Sequence, residues 1–207
     1  MSKELLVFVK NPVAGKVKTR LGRDIGEEAA LKIYLYLLHH TLKVCSRVKV
    51  KTTIYFSEHL SQEITSLYPG FSYCLQEGND LGERMENAFR DAFSRGTKEA
   101  IIIGSDLYTL NENVLTEGFE TLTQKDMVLG PAKDGGYYLL GLKHIPRGIF
   151  EEKAWGTDTI LKSTLNNLKG YDVALLGELN DIDVLEDLME YPELLKLAKS
   201  EQYGKTT

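Results

Sequence analysis

Cysteine is scarce: Cys45 and Cys74 are the only two among 207 residues. Two are too few for the disulfide framework of a small secreted scaffold, and they lack the paired spacing of a zinc site. Both read as free thiols in a reducing compartment, and the chain is read as cytoplasmic. Positive charge is not in excess, since 25 Lys and Arg stand against 30 Asp and Glu, a formal net charge of −5. No overall field draws such a chain to a nucleic-acid backbone, so nucleic acid is not an expected partner. No apolar run approaches the roughly 18 residues that span a bilayer, and the first apolar segment follows directly on Met-Ser-Lys-Glu. Neither a membrane span nor processing is expected. Histidine is limited to His39, His40, His59 and His144. Their placement offers no His-based triad or metal cluster, and no Ser or Cys has a nucleophile-elbow context.

What is present is an ordinary globular composition, 43% hydrophobic and 27% charged. It suits one domain over residues 1–200, followed by a polar tail at 201–207. Short apolar runs alternate with segments of helical period, the mark of an α/β domain on a mostly parallel sheet. Strands are predicted at 5–9, 50–56, 100–104, 127–129, 137–142 and 172–176. The first helix repeats Ala30, Ile33, Leu37, Thr41 and Cys45 at steps of three and four, placing them toward the sheet, with Glu27, Lys32 and His39 outward. Further helices are predicted at 81–94, 112–122, 157–167 and 184–197. The segment between the strands at 127 and 137 is too short for a crossover helix, so there the sheet turns antiparallel or one strand leaves it.

Five segments carry candidate chemistry. Lys10-Asn-Pro-Val-Ala-Gly15-Lys-Val-Lys-Thr-Arg20 follows the first strand, where the ligand crevice of an open α/β sheet lies. Gly15 allows close backbone approach to phosphates, and Lys10, Lys16, Lys18 and Arg20 add charge. It is neither a Walker A loop nor a dinucleotide fingerprint, and its bland reading is a solvated basic loop. Asp106 ends the apolar run Ile101-Ile-Ile-Gly-Ser-Asp106, either as a carboxylate for a hard cation or as an Asx-turn. Asp181 and Asp183 share one side of an extended stretch and could face one ion, while Asp183 with Glu186 also fits a capping box. Gly130-Pro-Ala-Lys-Asp134-Gly135-Gly136-Tyr137, with Trp155 following, reads as a turn or as a mixed aromatic and acidic surface for a polar organic ligand. Gln76 could read a base edge, Asp80 fits a helix cap, and Gly82 falls in the first turn of that helix.

Taken in order, K-x-P-x-x-G-x-x-K-T-R-L, Q-x-G-x-D-L-G-x-R-M, G-S-D, G-P-A-x-D-G-G-Y-Y-L-x-G, W-G-T and D-I-D-x-x-E-D-L resemble one family. It is the bacterial family of glycosyltransferase-like nucleotide-diphospho-sugar transferases, which includes arsenosugar-biosynthesis glycosyltransferases. More distant kin are 2-phospho-L-lactate guanylyltransferases and the molybdenum-cofactor and sugar-phosphate nucleotidyltransferases. The resemblance covers residues 5–188. It implies a GT-A type fold, a Rossmann-like three-layer α/β/α sandwich on a mixed, mostly parallel sheet. It also implies Mg²⁺ or Mn²⁺ as cofactor, and a nucleotide sugar or nucleoside triphosphate with a small-molecule acceptor as partners.

The same resemblance implies roles. Gly15, Lys18 and Arg20 match the phosphate-holding loop, with Lys18 and Arg20 stabilising the departing diphosphate. Gln76 and Gly82 match the base-selecting segment, and Asp106 and Asp183 match the two metal ligands. Asp134 is the candidate to orient or deprotonate an acceptor hydroxyl, with Gly135, Gly136, Tyr137 and Trp155 on the acceptor side. The family commonly reads G-S-D-C-P where this chain has Gly104-Ser105-Asp106-Leu107-Tyr108. The aspartate is kept, proline is lost, and Tyr108 is expected to bring a bulky ring near the site. Three functions are therefore carried forward: glycosyl transfer from a nucleoside diphosphate sugar, nucleotidyl transfer to a phosphorylated small molecule, and a catalytically silent nucleotide-binding module.

Overall fold

Side-chain alternation along the first strand decides the layers. In β1 (Lys3–Val9) Leu5, Val7 and Val9 enter one core cluster, while Leu6 and Phe8 belong to the other. Strand residues point alternately to opposite faces, so a central strand buried on both sides must be apolar throughout. The computed structural model describes residues 2–200; the predicted polar tail at 201–207 lies outside them.

After β1 come α1 (Thr19–Ile25), α2 (Glu27–Cys45), β2 (Lys51–Phe56), α3 (Gln62–Leu67), β3 (Ser72–Leu75), α4 (Leu81–Ser94) and β4 (Glu99–Ile103). The second part contains α5 (Glu112–Gln124), β5 (Met127–Pro131), β6 (Tyr137–Leu142), α6 (Ile160–Asn167), β7 (Val173–Leu175), α7 (Leu185–Met189) and α8 (Pro192–Lys199). The seven strands form one sheet in the order β3-β2-β1-β4-β6-β5-β7. All pairs are parallel except those of β6, which runs antiparallel to both β4 and β5. The short 132–136 connection therefore turns the sheet, as its length requires. Helices α2 and α5 cover one face and α4 packs on the other, giving the three-layer GT-A-like architecture.

Several elements differ from the sequence reading. Helix α2 is amphipathic on two faces. Tyr34, Leu38, Leu42 and Cys45 meet the sheet, whereas Ala30, Ile33 and Leu37 pack on Ile182, Leu188 and Leu194. Lys32 donates to the Ser200 carbonyl, and His39 lies against Tyr68, so neither is simply solvated. The predicted helix at 184–197 is broken in two. Pro192 has no N–H to continue α7, and it starts α8 instead. The expected Asp183 and Glu186 capping box does not form: Val184 is the N-cap residue, and the Asp187 carboxylate accepts the Asp183 and Val184 N–H groups. Helix α6 begins at Ile160 rather than 157. Short β3, α1 and α3 lie where no element was predicted.

Candidate functional site

The strand order changes direction beside β1. The chain runs outward through β2 and β3 and then returns to place β4 on the other side of β1. In open α/β sheets ligands bind outside the carboxyl ends of strands at such a point, and here the loops following β1 and β4 meet.

The loop after β1 turns at Gly15 (φ +75°), and Lys18 then adopts φ +48° before α1. A left-handed lysine is uncommon and strained. Its conformation directs a side chain only 2% exposed inward, where Nζ stands 2.9 Å from Asp106 Oδ2 and 3.8 Å from Asp183 Oδ1. Arg20 Nη1 donates to Asp183 Oδ2 at 2.9 Å across 163 positions of sequence. The Tyr34 hydroxyl fixes the head of the loop, accepting from Lys10 N and donating to Lys10 O, each at 2.8 Å. Burial and the nearby Asp106 charge raise that hydroxyl's pKa. Asn11, buried, ties the same loop to the end of β2 by accepting Glu58 N–H and donating to the His59 carbonyl.

Three carboxylates line one cavity: Asp106 from the end of β4, Asp134 from the β5–β6 turn and Asp181 from the approach to α7. The Asp181 carboxyl is pushed up to about 6, first by burial and then by Asp134 and Asp106, with Lys18 opposing. One oxygen of Asp106, Oδ1, is buried without a hydrogen-bond partner among the described residues. Asp134 Oδ1 accepts Gly136 N–H at 2.8 Å, and Gly135 has φ +85°, so the acidic glycine segment is a turn that also borders the cavity. Gly136, Tyr137 and Trp155 line the cavity too. Tyr137 turns its hydroxyl toward Thr164 of α6 and presents its ring.

The remaining predicted residues divide. Gln76 donates Nε2 to the Val9 and Tyr55 carbonyls, which leaves only its oxygen for a ligand. Asp80 caps α4 by accepting Glu83 N–H. Gly82 lies under the Trp155 indole, where a Cβ would come within 2.8 Å of Cζ2. Lys16 pairs with Glu58, and the Lys10 side chain is exposed. The expectation for Tyr108 is overturned. Its ring points away from the cavity, 4.7 Å from the Tyr191 ring, and its hydroxyl donates to Glu193. Leu107 is buried in the core. The replacement of Cys-Pro thus anchors α8. Tyr34, Asn11 and Asp181 are the contributors that sequence reasoning undervalued; the left-handed Lys18 had no sequence signal.

The family model for uncharacterised proteins conserved in bacteria (DUF2064) matches residues 41–157. The crystal structure of a candidate nucleotide-diphospho-sugar transferase from Desulfovibrio desulfuricans G20 is similar at TM-score 0.83 and 30% identity, over 91% of this chain and 85% of that one. The 4-diphosphocytidyl-2C-methyl-D-erythritol synthase of Anaerococcus prevotii DSM 20548 gives TM-score 0.59 at 10% identity, over 94% and 98% of the two chains. A cytidylyltransferase of Leptospira borgpetersenii gives 0.58 at 13%, over 99% and 100%. At such identity the last two share the fold alone. No curated protein sequence matches.

Proposed function

Because this chain belongs to the DUF2064 family, and shares its fold with a relative named for nucleotide-diphospho-sugar transfer, we propose that it is a transferase moving a glycosyl group from a nucleoside diphosphate sugar to a small acceptor. The observation that carries this reading is the convergence of Lys18 and Arg20 with Asp106 and Asp183 beside the carboxylate-lined cavity.

The two cations receive the donor's diphosphate. Asp106 and Asp183 hold them in place beforehand, so little reorganisation is needed as charge develops on the leaving group. Gly15 gives the loop its close approach, and Gln76, its Nε2 held by the Val9 and Tyr55 carbonyls, would offer its oxygen to the base. Asp134 orients the acceptor hydroxyl and takes its proton as the oxygen bonds to the anomeric carbon. The anomeric carbon's bond to the diphosphate oxygen breaks, and the nucleoside diphosphate leaves with the electron pair.

The residues fit a hard divalent cation. The oxygen donors suit Mg²⁺ or Mn²⁺, and the unpartnered Asp106 Oδ1 is a donor without a use in the protein alone. Among the described residues no group of three His, Cys, Asp or Glu forms a cage, but Mg²⁺ commonly takes one or two carboxylates and completes its shell from substrate phosphates and water. Asp106 and Asp183, which already converge on the Lys18 ammonium, would hold it. When bound, the cation neutralises charge on the diphosphate.

The test is calorimetric titration with UDP, GDP, CDP and TDP, each with Mn²⁺, Mg²⁺ or EDTA, on wild type and Asp106→Ala. One nucleotide should bind in a manner that needs both metal and Asp106. Absence of binding throughout defeats the reading, and pyrophosphate release from a nucleoside triphosphate would move it to nucleotidyl transfer. Asp134→Asn should lower turnover by about 100-fold or more; full turnover would remove its role.

A further inference from the structure

The carboxylate-lined cavity encloses 260 Å³ between β4, β6, the start of α4 and the Trp155 segment. Its wall is apolar, with Phe8, Met85, Ile102, Leu140 and Ile160 joined by the Tyr137 ring. Among the described residues its only charged ones are Asp106, Asp134 and Asp181, and no Lys, Arg or His lines it. Lys18 is paired with one of the three, Asp106, while Lys133 is paired with Glu190 and Lys153 with Ser163 and Asn167 on α6, so among the described residues Asp134 and Asp181 have no cation of their own.

A phosphate or carboxylate group entering this space would meet the like charge of Asp134 and Asp181, which no neighbouring cation offsets, a combination that rejects a ligand. An apolar body, by contrast, gains from leaving water. An apolar cavity of about 150 Å³ already admits benzene, so there is room here for a substituted ring. The carboxylates at the rim accept hydrogen bonds and so suit a hydroxyl donor.

We propose that this cavity is the acceptor subsite and that it selects an uncharged hydroxyl compound with an apolar body, excluding phosphorylated and carboxylated acceptors. This deepens the transferase reading and rests on it for the term acceptor. It separates the two chemistries carried forward from the sequence, because an acceptor that is itself a phosphate ester does not fit.

Trp155 borders the cavity and is the chain's one tryptophan, so its fluorescence reports occupancy without any donor nucleotide. The full chain would be titrated with benzyl alcohol, benzyl phosphate and glycerol, in EDTA and again in Mg²⁺. Benzyl alcohol should change the emission saturably, with benzyl phosphate at least tenfold weaker and glycerol silent in both buffers. Equal or tighter binding of benzyl phosphate in either buffer, a glycerol response matching that of benzyl alcohol, or no response to any probe would overturn the proposal. Asp181→Asn, which removes the charge but keeps an acceptor oxygen, should tighten benzyl phosphate several-fold and move benzyl alcohol much less; if benzyl phosphate does not tighten, the rim charge is not the selector. Since no nucleotide is added, failure of the donor titration and failure of this proposal are read separately.

Discussion

Glu4 stands at the start of β1, fully buried, and receives the Thr53 and Thr97 hydroxyls, the Arg95 guanidinium and the Lys51 ammonium. Burial alone would raise its carboxyl, but the donors from Thr97, Thr53, Arg95 and Lys51 outweigh it and hold the group below its usual 4.5. A folded-state pKa below the unfolded one stabilises the protein above the unfolded value and ceases to do so as pH falls through the folded value. Glu4→Gln should therefore cost about 2 kcal/mol at neutral pH, and urea unfolding should show the gap closing as pH drops below about 4.5. A gap unchanged down to pH 3 would remove the ionised carboxylate from the account. At Gly82 the constraint is space: an added Cβ would lie 2.7 Å from the Phe150 carbonyl and 2.8 Å from the Trp155 ring. Gly82→Ala should lose about 1–3 kcal/mol through overpacking, with a shift in tryptophan emission as the indole moves. An unshifted spectrum at wild-type stability would refute that contact. The sequence offered Gly82 only as a first-turn glycine, because the residue that lies on it is 73 positions away. Tyr108 misled for the same reason, since adjacency to Asp106 says nothing about which way a ring turns after a strand ends.

Elements with a strong period were legible, and those decided by contacts with distant chain were not. Helix α4 was read to its residue bounds because an Asp cap, an apolar stripe and a closing serine all agree locally. Helix α2 was found, yet its second apolar face was assigned to the sheet, since periodicity reveals that a face is buried and not what covers it. Edge strand β3 is short and half exposed, so its alternation is faint. The segment leading into α7 shows how a local cap can serve a remote site. Burial would raise the Asp187 carboxyl, but the Val184 N–H, the Asn180 amide and the Asp183 N–H hold it low. That one side chain fixes the stretch carrying Asp181 and Asp183. Asp187→Ala should cost about 1 kcal/mol as a lost cap, and it should weaken nucleotide binding several-fold without touching the ligand. Asp187→Asn, which keeps an acceptor oxygen, should restore part of the binding. Calorimetry on the two variants decides it, and equal loss in both would mean that the charge of Asp187, not its capping, supports the site.

Across the whole molecule, the site joins the first and last parts of the described chain. Lys18 and Arg20 precede α2, Asp183 precedes α7, and α7 and α8 pack back onto α1 and α2 through Leu21, Ile33, Leu188 and Leu194. The order of the motifs was visible in the sequence, and the rule that loops at the carboxyl ends of parallel strands collect at one rim explains why motifs far apart should meet. The pairing of Arg20 with Asp183, and the entry of Asp181 rather than Asp183 into the cavity wall, depend on strand order and could not be read from spacing. This arrangement makes a thermodynamic demand. A ligand that binds the folded state alone adds about 2.7 kcal/mol at a hundredfold excess over its Kd, and each kcal/mol raises Tm by about 2–4 °C in a chain of this size. Nucleotide with its cation should therefore lift Tm by about 5–10 °C. Because the ligand would hold the first loop and the C-terminal segment together, the whole transition should move as one. Calorimetry with and without nucleotide should show a single peak displaced intact, and Asp106→Ala should abolish the displacement. If the peak splits, so that one part shifts and the segment containing α7 and α8 melts where it did before, the ligand is not held by residues from both ends of the chain, and the pairing of Arg20 with Asp183 has no part in binding.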